Sequence, residues 1–136
     1  MSIYRTRGQL KMNYKEQVLS LWNDMDKQDW NNIYEYFHND AVINWNNTNE
    51  QFDVRDFVRA NSEYPGQWSI KVERLESIEN LVISVVKVHL KDGDLAFHAT
   101  SFFEFSNDKI KILNEYWGQD EKAPQWRIDK RIGKPK

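Results

Sequence analysis

Cysteine is absent from the 136 residues, and there are only three histidines. The first absence excludes disulfides, thiolate nucleophiles and cysteine-ligated zinc. The second leaves few donors for a metal, and His38, His89 and His98 have no ligand spacing, so neither metal nor cofactor is expected. Five glycines and three prolines are too few for a collagen-like or low-complexity chain. Phosphate-cradling glycine loops, H-E-x-x-H pairs and G-x-S-x-G turns do not occur. No apolar run approaches the roughly 18 residues of a membrane-crossing helix, and no signal-peptide pattern opens the chain. The expectation is a soluble, cytoplasmic domain with no membrane partner.

What is present is enough apolar material for one core. Forty per cent of residues are hydrophobic, with six Trp, six Tyr and seven Phe among them. That content and length suit one domain spanning 1–136, with a core of about 12–127 and a basic tail at each end. The net charge of −2 is unevenly placed. Arg5, Arg7, Lys11 and Lys15 face no acid in the first fifteen residues, and the last fifteen set six basic residues against Asp129, so the stretch between holds −11. An acidic body with basic ends lacks the basic face that phosphate backbones need, so nucleic acid is not expected as a partner.

Hydrophobic spacing divides the chain in two. Asn13 with Glu16 reads as a capping box, and Val18, Leu21, Trp22 and Met25 recur at helical spacing. Asp29 opens a second helical pattern through Trp30, Ile33, Tyr34 and Phe37, which His38-Asn39-Asp40 ends. Ala41 to Trp45 reads as a short strand, Asn46 to Asn49 as a turn, and Asp53 as the start of a third helix that Pro65-Gly66 breaks. Beyond Gly66 the period changes to two, with strands over Trp68–Glu73, Leu81–Leu90, Leu95–Phe105 and Lys109–Trp117. Helices first and antiparallel strands after is the α+β arrangement.

This order resembles the nuclear transport factor 2-like superfamily, and three stretches carry the resemblance. Asp29-Trp30 through Phe37-His38-Asn39-Asp40-Ala41-Val42 matches a helix running into an aspartate-alanine strand entry. Phe103-Glu104-Phe105, the turn Ser106-Asn107-Asp108 and Lys109-Ile110 match its aromatic hairpin. Glu115-Tyr116-Trp117 followed by Asp120 is similar to the ending of its SnoaL-like branch. The resemblance implies a cone-shaped fold, three N-terminal helices packed in a strongly curved antiparallel sheet. It also implies a conical pocket for a small, largely apolar molecule, and a homodimer formed through the outer sheet face. The ketosteroid isomerases of this superfamily need a tyrosine, a carboxylate base and a protonated aspartate. Their positions fall on Leu21, Trp45 and Ser101, so that mechanism is not expected here. An Asp-Arg-Asp relay, as in the superfamily's epoxide hydrolases, is also missing from the expected inner strands.

Strand parity assigns the faces. Leu113, Glu115 and Trp117 point inward, as do Phe97, Ala99, Ser101, Phe103 and Phe105, and Val82, Ser84, Val86 and Val88. Lys87, His89, His98, Thr100 and Phe102 point outward. A bulge in the long Leu95–Phe105 strand would invert part of this set. Glu115 is the candidate catalytic carboxylate. It is either ion-paired, with Arg127 or Arg59, or unpaired with a raised pKa. Asp120 is the second catalytic candidate, the branch's acid–base position at the pocket rim, with a plain loop residue as the other reading. Trp22, Trp45, Phe97, Ser101, Phe103, Leu113 and Trp117 are the candidate ligand-binding residues; their aromatics, together with Trp68, line or floor the cone, and the same rings also read as simple core. Whether the domain is an enzyme, a binding protein or an interaction module with a filled cone stays open at the level of sequence.

Overall fold

The computed structural model describes residues 13–136. The tail carrying Arg5, Arg7 and Lys11 lies outside the described residues. Helix α1 (Tyr14–Asp26) begins at the expected capping box: the Asn13 side chain accepts from the Glu16 amide at 2.8 Å, and Glu16 accepts from the Asn13 amide at 3.1 Å. Two N–H groups that a helix start would leave orphaned are thereby satisfied. Val18, Leu21, Trp22 and Met25 form its buried stripe.

The second helix is shorter than its spacing suggests. Helix α2 is only Trp30–Ile33, a 3-10 turn covers Tyr34–Tyr36, and strand β1 (Phe37–Trp45) starts well before Ala41. Phe37 leaves the helical path because its ring joins the core, 2% exposed and 5.9 Å from Phe57. Register against the neighbouring strand then slips between Phe37 and Val42, so Asp40 stays outside and pairs with Lys111 at 2.9 Å. The asparagine turn, with Asn49 at φ 59°, returns the chain as β2 (Glu50–Phe52) beside β1. Asp53 caps α3 (Val54–Ser62) through the Asp56 amide at 2.8 Å.

Three hairpins follow, joining β3 (Trp68–Ile78), β4 (Leu81–Leu90), β5 (Ala96–Ser106) and β6 (Lys109–Gln119). The last turn is two residues long, Asn107 at φ 49° and Asp108 at φ 69°, the left-handed pair that suits the twist of a hairpin. The sheet order is β2-β1-β6-β5-β4-β3. The hairpins bring β6 back alongside β1 pointing the same way, so that pair is parallel. The sheet is therefore mixed, which corrects the expectation of a wholly antiparallel one.

Helix α1 packs on β3 and β4, and α3 on β1. The face they cover is the inner face. Val82, Val86, Phe103, Phe105, Ile110 and Leu113 are buried there with Ile43, Phe57 and the α1 stripe. Register breaks fall at Glu73 in β3 and Lys111 in β6, whereas β5 runs unbroken against β4. Parity along β5 thus follows the sequence. A short helix, α4 (Gln125–Asp129), forms within the basic last fifteen residues. Among the described residues no helix is long and apolar enough to cross a membrane.

Candidate functional site

Register builds the site as a single row across the sheet. Parallel pairing sets Trp45 of β1 beside Glu115 of β6, and antiparallel pairing sets Ser101 of β5 on its other side, followed by Ser84 of β4. Among the described residues Glu115, Ser101 and Ser84 are the buried polar side chains, and all three fall in this row. The Trp45 indole N–H donates to Glu115 Oε1 at 3.0 Å, and Ser101 Oγ donates to Oε2 at 2.5 Å. At the far end the Trp22 indole donates to Ser84 Oγ at 3.0 Å.

Glu115 is 5% exposed, and no cation among the described residues forms an ion pair with it. Of the two readings, ion-paired or unpaired, the structure has the second, since neither candidate arginine reaches it. Arg59 sits on the solvent side of α3, because Phe57 and Val58 turn inward, and it pairs with Glu63 at 2.7 Å. Arg127 rides on α4 with its guanidinium 5.7 Å from the Trp126 ring. Burial pushes the Glu115 carboxyl above its ordinary value, and the hydrogen bonds from Ser101 and Trp45 offset this only in part.

The candidate binding residues divide into two layers. Trp22, Ser101, Phe103 and Leu113 are buried and form a closed floor, with Trp22 edge-on to Phe103 at 6.3 Å. Trp45, Phe97 and Trp117 are only half-buried. Trp117 meets Trp45 at 5.9 Å and Phe97 at 5.7 Å, both edge to face. The arc continues from Trp45 to Phe52 at 4.7 Å and Phe57 at 6.3 Å, and from Phe97 to Trp68 at 5.8 Å and on to Tyr64 at 5.3 Å. Gly66, at φ 100°, lets the chain pass beneath this end. A Cβ there would stand 2.8 Å from a Leu90 methyl and 3.2 Å from the Trp68 indole nitrogen.

Phe52, Phe57 and Tyr64 are the ring partners that the candidate set omits. Phe52 lies in the short β2 that follows the asparagine turn, and Tyr64 in the Tyr-Pro-Gly break, where no periodicity marks a face. Phe57 carried a signal, its place on the apolar side of α3, but nothing tied it to Trp45.

Asp120 stands on the other side of the sheet. Its Oδ1 is 2.5 Å from His98 Nδ1 and its Oδ2 is 3.9 Å from Lys87 Nζ, while His98 Nε2 is 3.0 Å from Glu73 Oε1. The two candidate carboxylates, Glu115 and Asp120, therefore do not converge. His38, on β1, bonds to the Ser106 carbonyl. Elsewhere on the outer face is a depression of about 680 Å³ lined by Leu81, Thr100, Phe102, Glu104, Asn114 and Tyr116. Phe102 meets Tyr116 edge to face at 6.0 Å, and Tyr116 is 50% exposed. Among the described residues no group of histidine and acidic side chains is arranged to hold a metal.

Neither a protein-family model nor a curated protein matches the sequence. Solved structures do. A protein of Kribbella flavida, provisionally assigned as a ketosteroid isomerase, superposes with a TM-score of 0.75 at 19% identity, over 89% of this chain and 87% of its own. An NTF-2 like protein of unknown function from Burkholderia xenovorans gives 0.71 at 21% identity, over 84% and 89%. A protein of Shewanella putrefaciens, provisionally assigned as a SnoaL-like polyketide cyclase, gives 0.65 at 12%, over 78% and 90%. Identities this low speak for the backbone and leave activity to be argued from the site. Element order, sheet order and these superpositions agree that the chain has the nuclear transport factor 2-like fold.

Proposed function

We propose that this protein binds a small, largely apolar, planar molecule at the mouth of its inner face, against Trp45, Phe97 and Trp117. One observation carries the reading. Glu115, a buried carboxyl in no ion pair among the described residues, is bonded to Trp45, one of three half-buried rings that touch one another edge to face. Such rings offer a planar ligand the edge and face contacts they now make among themselves. Glu115 supplies the polar contact. A hydroxyl of the ligand takes the place of the Trp45 N–H as donor to Oε1, or a ligand carbonyl accepts from Oε1 when the carboxyl is protonated, and a carboxyl with a raised pKa is suited to give or take a proton there. Asp120 is engaged by His98 and Lys87 on the opposite face, so acid–base work falls to Glu115 alone.

The experiment is a thermal-shift and tryptophan-fluorescence titration with 2-naphthol over a range of pH. Binding to the native state raises the melting temperature. Trp117→Ala is expected to abolish the shift, and Glu115→Gln to keep binding while removing its pH dependence. A wild-type protein indifferent to the probe, or a variant with an unchanged pH profile, refutes the reading or its acid–base part respectively.

The outer face supports a second, separate proposal, an interaction surface for self-association. Phe102 and the half-exposed Tyr116 are an unusual pair to leave to solvent on a sheet that also carries charge. A homodimer through this face covers them and leaves the inner mouth free.

A further inference from the structure

We infer that the C-terminal arm, residues 123–136, docks on a second copy of this chain, with Trp126 seated in the Phe102–Tyr116 depression. The arm is a built element. Helix α4 and the turn after it are closed by bonds from the Lys130 amide to the Trp126 carbonyl at 3.3 Å and from the Ile132 amide to the Arg127 carbonyl at 3.0 Å. Gly133, at φ 74°, follows that turn. Yet the arm's large apolar residues face outward: Trp126 is 56% exposed, Ile128 44% and Ile132 53%. Among the described residues its hydrogen bonds stay within the arm, and Arg127, Lys130, Arg131, Lys134 and Lys136 form no ion pair.

The body supplies the complement. It carries the negative charge of the chain, and Glu104 in the depression and Glu79 in the adjoining turn are likewise in no ion pair among the described residues. The depression is open and lined by a ring pair, which suits an indole.

The chain's own arm does not fill the depression: Trp126 is 56% exposed and, among the described residues, makes no ring contact with Phe102 or Tyr116. The Asp120 amide bonds to the Ala96 carbonyl at 2.8 Å, so the arm leaves from the start of β5. The Phe102–Tyr116 pair lies four to six residues further along the sheet, roughly 13–20 Å away at the usual rise, with Glu104 beyond it. A two-fold axis lying between opposed outer faces and perpendicular to the strands exchanges the sheet ends. The root of one arm then lies over the partner's Leu81–Glu104 end, and the contact repeats by symmetry.

The inference rests on the self-association proposed above, and the test separates the two. Molar mass is measured by sedimentation equilibrium for the full chain, for a chain ending at Lys122, and for Trp126→Ser. Dimerisation is expected to weaken about tenfold or more in both variants, as loss of a seated Trp does, and to weaken with added salt. Because the chain has no cysteine, Trp126→Cys and Glu104→Cys chains of different tag length can be mixed and oxidised, and a mixed disulfide is expected. A dimer that survives loss of the arm, with no mixed disulfide, overturns the arm's role and leaves the sheet-face dimer standing. A strictly monomeric full chain overturns both. Closure of the Trp126→Cys/Glu104→Cys double variant within one monomer, or an arm that binds phosphatidylserine vesicles and forms no mixed disulfide, also overturns the inference.

Discussion

Glu115 shows how a buried carboxyl can be held by neutral donors, with no counter-charge among the described residues. Its residue type and strand parity point to the inner face, and the cation then expected beside it follows from the cost of burying charge. The solution used is two neutral donors from flanking strands, which depend on register and are not marked in the sequence around Glu115. A pH dependence follows from the direction of its shift. The unfolded side chain titrates near 4.5 and the folded one higher, so the native state holds the proton over the interval between. Stability from this group is fully present below the unfolded value and declines as pH rises through the folded one. Urea midpoints compared between wild type and Glu115→Gln across that range are expected to diverge with rising pH, wild type falling relative to the variant. Trp45→Phe keeps the ring and deletes the donor at Oε1. It is expected to lose about 1–3 kcal/mol in the same assay, and to move the carboxyl titration further upward.

At the scale of the element, what could be read from sequence depended on how local the signal was. The α1 capping box, the α3 cap and the alternation along β5 rest on residues within a few positions of one another, and the structure has them where the spacing puts them. Asn13→Ala removes the side-chain acceptor of the Glu16 amide, leaves the backbone donor to Glu16 in place, and is expected to lower stability by about 1 kcal/mol in chemical denaturation. The early start of β1 depends on a partner far along the chain, Ile110 beside Phe37, whereas the return of β2 and the register breaks at Glu73 and Lys111 arise within hairpins and carry no mark in the residue spacing. Phe37 fits a helical spacing with Ile33 as well as it fits a strand, and only packing against Phe57 separates the two.

For the whole molecule, the inner and outer faces of the sheet have separate chemistry. Inside, apolar packing surrounds one polar row, edged by the half-buried rings of Trp45, Phe97 and Trp117. Outside, Glu73, His98, Asp120 and Lys87 share the surface with the Phe102–Tyr116 depression. The aspartate that sequence placed with Glu115 belongs to this second surface, because Asp120 falls at the end of β6 with the outward parity of His98. The parallel pairing of β1 with β6 has a consequence for the order of assembly. Trp45 and Glu115 are 70 positions apart, and three hairpins intervene. A nascent chain that has exposed β1 has no neighbour for that edge until its last strand is synthesised. Local helix and hairpin contacts form readily, whereas this closure carries a long loop entropy. The polar row from Trp45 to Ser84 is therefore complete only once the first strand and the last one have met.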